Sequence, residues 1–161
     1  MPTLVPEKLF RKFLDAMPIA CVDVAIVDSG SVLLVKRKDA PARGQWWVPG
    51  GRVFKREMLR ETAARKARDE VGIECHIGPI IHTAETIFHD GPGGVDVHSI
   101  NACFFAYPVK SAAAAQLDDH HAGSKWVREI PAGLHPYVTR CLQAAGLEPA
   151  KRSKRKPRAK S

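Results

Sequence analysis

Apolar residues recur at Leu9, Phe10, Phe13, Leu14 and Met17, the three-and-four spacing of one helical face, and the run ends at Pro18. The pattern then changes period. The stretches "IACVDVAIVD" and "SVLLVKRK" are dense in β-branched residues and flank the dipeptide "SG", which predicts a hairpin. A segment rich in proline, alanine and glycine leads to "QWWVPGGRV", a short aromatic strand stopped by "PGG". From Glu57 to Val71 there is no glycine or proline, and Ala, Leu, Arg, Lys and Glu dominate; a helix follows from that composition, with Gly72 as its stop. Strands are expected at 74–88 and 98–109, separated by the flexible "HDGPGGVDV", and a short one at "SKWV" after the polar run "QLDDHHAG". Ile130, Leu134, Tyr137, Val138, Cys141 and Leu142 share a final helical face, with Pro131 suited to the first turn. No internal repeat is visible, and the order of elements predicts one mixed α+β domain.

Composition narrows the class. A chain of 161 residues, 45% hydrophobic and 26% charged, can bury a core without disulfides or a structural metal. Its net charge of +8 suggests a nucleic-acid partner until the charge is located. Residues 150–161, "AKRSKRKPRAKS", hold seven basic residues and no acid, so residues 1–149 carry eighteen bases against seventeen acids. The expected organisation is therefore a nearly neutral domain over 1–149 and a disordered basic tail over 150–161. The tail can touch nucleic acid or an acidic surface, but a solubilising role is favoured. Cys21, Cys75, Cys103 and Cys141 show no CxxC or CxxH spacing, which argues against zinc or dithiol chemistry. No apolar run is long enough to span a membrane, and the N-terminus lacks a signal-type stretch, so a reducing cytoplasm is expected.

Chemistry concentrates in residues 50–73, "GGRVFKREMLRETAARKARDEVGI". A glycine pair feeds a loop, the loop feeds a helix, and Glu57, Arg65, Asp69 and Glu70 lie along it. Lys66 and Glu70 are four apart and suit a plain surface ion pair. Carboxylates facing glycine carbonyls also suit a hard divalent cation, which takes oxygen ligands and keeps water or phosphate in its remaining positions.

This stretch resembles the signature of the Nudix hydrolases: a glycine, five residues, a glutamate, seven residues, then Arg-Glu, an aliphatic, any residue, Glu-Glu, any residue, a glycine and an aliphatic. Gly51, Glu57, Arg65, Glu70, Gly72 and Ile73 match in register, Asp69 replaces one glutamate, Ala67 is a small apolar stand-in, and Lys66 is discordant. The resemblance implies a Nudix α/β/α sandwich, with a mixed sheet between helices, over residues 18–147. Lys66 replaces a glutamate that is a metal ligand in most members. GDP-mannose mannosyl hydrolases also lack that glutamate, and "LLVKRKDAPARGQWWVPGGRVFKRE" looks like the corresponding region of that subfamily.

That likeness implies hydrolysis of a nucleoside-diphosphate sugar by water attack at the sugar carbon, with inversion and GDP as leaving group. It implies one magnesium per site, or manganese, held by Gly51 and Glu70, with Asp69 in reserve. Arg37 and Arg52 would hold the diphosphate, since guanidinium forks fit phosphate oxygens and stay protonated. Counting back from Trp126 places His120 at a metal-ligand position and His121 at that of the general base, with His120 as base the alternative. Asp23 and His89 fall where relatives contact substrate, and no tyrosine is found to match the one that assists there. A homodimer is implied too, with Trp46, Trp47 and the N-terminal helix as candidates for burial at its interface. Attack at phosphorus, or nucleotide or RNA binding without hydrolysis, stay open beside this expectation.

Overall fold

The computed structural model describes residues 5–111 and 116–151. Helix α1 (Glu7–Ala16) precedes strands β1 (Ile19–Asp28), β2 (Ser31–Arg37), β3 (Trp46–Trp47) and β4 (Gly50–Arg52). Helix α2 (Leu59–Val71) follows, then β5 (Cys75–Phe88), a 3₁₀ turn (Pro92–Gly94), β6 (Val97–Pro108), β7 (His121–Val127) and helix α3 (Pro136–Ala144). The strands run β3-β2-β1-β6-β5, with β4 beside β1 and β7 beside β2. β1 and β6 are parallel and the other pairs antiparallel, so the sheet is mixed.

Alternation along β1 divides the core. Val22, Val24 and Ile26 face α2, where they pack with Ala63, Ala67 and Val71. Ala25, the residue between two of them, packs in the other layer with Val138, Cys141 and Leu142 of α3. This period of two on the strand against three to four on each helix makes the α/β/α sandwich. β1 and β2 pair only near their turn, at Val27↔Val32 and Asp28↔Ser31. Further back β1 pairs with β4 through Cys21, Val22 and Asp23, and β2 pairs with β7. The divergence of the two strands opens the space that the site occupies.

Several boundaries shift for identifiable reasons. α2 begins at Leu59, because Glu57 folds back to accept from the Phe54 amide and Glu61 accepts from the Met58 amide at 2.8 Å. α3 begins at Pro136, not near Pro131: Gly133 takes φ +82°, and the His135 ring accepts from the Tyr137 amide. β7 begins at His121, three residues before the expected "SKWV", as the ladder to β2 reaches back to Arg37↔His121 across a bulge. Trp47 is not interface material. It is 6% exposed and packs in its own core against Tyr137, Phe88 and His135. Trp46 is half-buried under the Lys125 ammonium, 4.2 Å from the ring. Of the cysteines, Cys103 and Cys141 are buried as core residues, while Cys21 and Cys75 are partly exposed. The fold runs slightly past residue 149, since the Ala150 amide donates to Ile130 O. The rest of the basic run, 152–161, lies outside the described residues. No described helix is long and apolar enough to cross a membrane.

Candidate active site

Where β1 and β2 part, a pocket of about 410 Å³ is lined by Asp23, Arg37, Arg52, Lys66, Glu70 and His121, with Phe10 and Leu14 of α1 and Trp47 among its apolar walls. The sheet, α1, α2 and the loop between β2 and β3 each supply part of it.

The loop between β4 and α2, which carries Glu57, holds the end of the strand in place. Glu57 accepts from Arg65 Nε at 2.6 Å and Nη2 at 2.9 Å, from the Phe54 amide at 3.1 Å and from the Thr62 hydroxyl at 2.8 Å. The Arg65 fork and these hydrogen bonds hold the Glu57 carboxyl down at about 2. Arg65 also donates to Arg52 O and lies 4.1 Å over the Phe54 ring. Glu57 and Arg65 therefore clamp the strand that carries Arg52. The Arg52 guanidinium stands 4.0 Å over the Phe10 ring, so α1 helps aim it.

Glu70 sits on α2 with 8% of its side chain exposed. One oxygen accepts from the Gly50 amide at 3.0 Å, and the other from Lys66 Nζ at 2.8 Å. The end of Lys66 lies against Gly51: a Cβ there would fall 2.7 Å from Nζ. The ammonium thus sits on Glu70 and against the Cα of Gly51, two of the residues assigned to the metal. Asp69 does not join them; its side chain is 54% exposed beside Arg68, on the outer face of α2. Among the described residues no group of three or more His, Cys, Asp and Glu side chains is spaced to hold a metal ion. A divalent ion needs several oxygen ligands. One carboxylate already neutralised by an ammonium does not fit that need.

His121 is 6% exposed in its side chain. Its Nδ1 lies 2.7 Å from Asp118 Oδ1, and its Nε2 faces Glu70 Oε2 at 3.9 Å. Asp118 is itself anchored, its amide donating to Glu70 O and its Oδ1 accepting from the His120 amide at 3.0 Å. An acid on one ring nitrogen fixes the ring and leaves the other toward the pocket. Arg37, the cross-strand neighbour of His121, is steadied by donating from Nε to Pro41 O at 2.7 Å. His120 points elsewhere: it is 74% exposed at the pocket mouth, and its hydrogen bond to Asp39 raises its pKa.

Asp23 is buried at 4% exposed, in the middle of the sheet between β4 and β6, not at an edge. Removal from water raises its pKa to about 6, against the pull of hydrogen bonds from Tyr137 and Trp47. The Tyr137 hydroxyl donates to it at 2.7 Å. Beyond it Thr86, Ser99 and Asn101 form a hydrogen-bonded wall, Thr86 to Ser99 at 2.7 Å and Asn101 to Thr86 at 3.1 Å. Burial pushes the neighbouring Cys21 thiol up to about 12, which removes it as a nucleophile at neutral pH. His89 is not brought into the pocket; its side chain is 81% exposed and bonded to Asp96.

Tyr137 and Asp118 were missed as site residues by the sequence. Tyr137 read only as one position of an apolar helical face, 114 residues from Asp23. Asp118 carried a usable signal, an acid three residues before a histidine in "DDHH".

A sandwich with two arginines, a lysine and an oriented histidine around one cavity has the shape and basic side chains that suit a small anionic molecule. Comparison with known proteins gives the family. The NUDIX domain model matches residues 17–136, and the chain belongs to the Nudix hydrolase family. It is 34% identical over 143 residues to the low-salt glycan biosynthesis protein Agl8 of Haloferax volcanii, covering 88% of this chain and 91% of that one. It is 29% identical to the 8-oxo-dGDP phosphatase NUDT18 of Danio rerio over 73% of this chain and 34% of the relative. Among solved structures, a MutT NUDIX hydrolase from Burkholderia pseudomallei superposes with TM-score 0.67 at 24% identity, covering 80% of this chain and 98% of that chain. Nudix hydrolases generally use divalent metals such as magnesium, which makes the Lys66–Glu70 pair the feature to explain.

Proposed function

We propose that the protein hydrolyses a nucleoside-diphosphate sugar, GDP-mannose or a similar hexose, by water attack at the anomeric carbon. The observation that carries this is His121, buried, oriented by Asp118 at 2.7 Å and opening onto a cavity shared with Arg37 and Arg52. The water oxygen bonds to the anomeric carbon, its proton passes to His121, and the bond from that carbon to the diphosphate oxygen breaks. The electron pair leaves with GDP, where Arg37 and Arg52 meet the growing charge. Asp23 and the Thr86, Ser99 and Asn101 wall supply hydrogen-bonding groups for the sugar. The glycan-biosynthesis name of the Agl8 relative supports a sugar-linked substrate. The one magnesium per site implied by the family likeness finds no fitting donor set here, and no step above passes through it.

Product analysis after incubation with GDP-mannose tests the reading. Free reducing mannose with GDP is expected; GMP with mannose 1-phosphate would place the attack at phosphorus, and absence of turnover would make the protein a binder.

A further inference from the structure

Lys66 is the residue that departs from the family signature, and its ammonium is bonded to Glu70 with its end packed against Gly51. Its side chain is 20% exposed and lines the cavity with Arg37 and Arg52. An ammonium has three donors, and the hydrogen bond found for it among the described residues is to Glu70. The remaining donors are free to meet a ligand in the cavity.

We propose that Lys66 replaces the divalent ion at this site: its ammonium, held by Glu70 against Gly51, binds the substrate diphosphate with Arg37 and Arg52 and works without metal. This rests on the nucleoside-diphosphate reading above.

Three lines carry it. The first is occupancy. An incoming metal has to displace an ammonium from its carboxylate at 2.8 Å and then finds one carboxylate, since Asp69 faces outward. The second is charge. Arg37, Arg52 and Lys66 set three cations on a pocket wall that also carries Glu70, Asp23 and Asp39, so without Lys66 the acids would outnumber the bases and the wall would repel a diphosphate diester. The third is geometry. Glu70 is anchored through its other oxygen to the Gly50 amide, so it presents the ammonium at a fixed place on the loop beside Arg52. As the bond to the anomeric carbon breaks, the electron pair goes to the diphosphate oxygen, and Lys66 is then a preplaced cation where that charge appears.

The test is calorimetric titration of the full chain with GDP, in EDTA and in magnesium, for the native protein and K66M. The native protein is expected to bind GDP in EDTA within about threefold of its affinity in magnesium. K66M is expected to lose about 10- to 100-fold in GDP affinity in EDTA, the worth of one charge-assisted hydrogen bond. Loss of GDP binding by the native protein in EDTA with recovery in magnesium would overturn the proposal, as would K66M binding GDP like the native chain. A second variant guards against a folding defect in the first. K66E restores a second helix carboxylate and is expected to gain a manganese site, read by electron paramagnetic resonance, that the native chain lacks; equal manganese affinity in both would overturn the proposal. The two proposals fail separately. GMP among the products of GDP-mannose overturns attack at carbon and leaves Lys66 at the diphosphate, whereas a strict metal requirement with GDP and mannose as products does the reverse.

Discussion

Two ion pairs stand side by side in one motif, and they are built differently. Glu57 and Arg65 meet through two nitrogens, and Glu57 also takes an amide and a hydroxyl, so nearly all its capacity is spent on holding the loop. Lys66 and Glu70 meet through a single bond at 2.8 Å and face the cavity. The first pair is closed and the second open. A match to a family signature therefore mixes residues that shape a loop with residues that face a ligand, and hydrogen-bond saturation separates the two.

The largest expected effect tests the open side. H121Q should lower turnover about 100- to 10,000-fold, the range for removing a general base, while GDP affinity and thermal stability stay near native. Near-normal turnover would move the base to His120, which is held at the mouth by Asp39.

The closed pair should fail in the opposite way. E57Q is expected to cost about 2 kcal/mol of stability, or about 4–8 °C in Tm for a chain of this size, since it leaves Arg65 without its partner. GDP affinity should move far less than in K66M, and a comparable loss in both would erase the distinction. Because Glu57 is held at about 2, well below its ordinary value of 4.5, its stabilisation is present above about pH 4.5 and is lost as the pH falls towards 2. Acid titration of native and E57Q unfolding should show the native curve falling more steeply in that window.

Asp23 has the reverse sign. Its pKa is raised from 3.8 to about 6, so its contribution is fully present below the unfolded value and is lost as the pH rises through 6. D23N keeps an acceptor for Tyr137 and removes the titration. Denaturant unfolding across pH 4–7 should show D23N gaining about 3 kcal/mol on the native protein at the upper end. A parallel pair of curves would show that Asp23 keeps its ordinary pKa.

The smallest effect belongs to the basic run. Removing residues 152–161 should leave turnover and Tm unchanged, because the near-neutral domain supplies every site residue named above. A large loss would bring the tail into the site.

The sequence was informative where the signal is local. Period and composition found all three helices and the long strands, and the motif register placed Arg65 and Glu70 on their helix, whereas Glu57 lies before α2 and Gly51 on β4. It failed where a contact spans the chain. The bond between Asp23 and Tyr137 is made by a strand and a helix brought together by the fold, and the Arg37 and His121 pairing needs a β7 longer than its apolar part. Asp69 and His89 fall in or near motif positions, yet helix phase turns one outward and loop geometry turns the other to Asp96. The meaning of Lys66 needed coordinates, because a sequence spacing of four allows an ion pair without telling whether it faces solvent or a cavity.

The parallel pairing of β1 with β6, and the antiparallel pairing of β2 with β7, also bear on how the protein comes into being. Residues 19–37 leave the ribosome long before residues 97–127 and 137 that complete their neighbours. Until then the first strands wait with open edges and the site has no floor. A nascent chain cut short before Tyr137 should therefore hold no fraction of the activity, and its exposed strands make it work for chaperones and proteases instead.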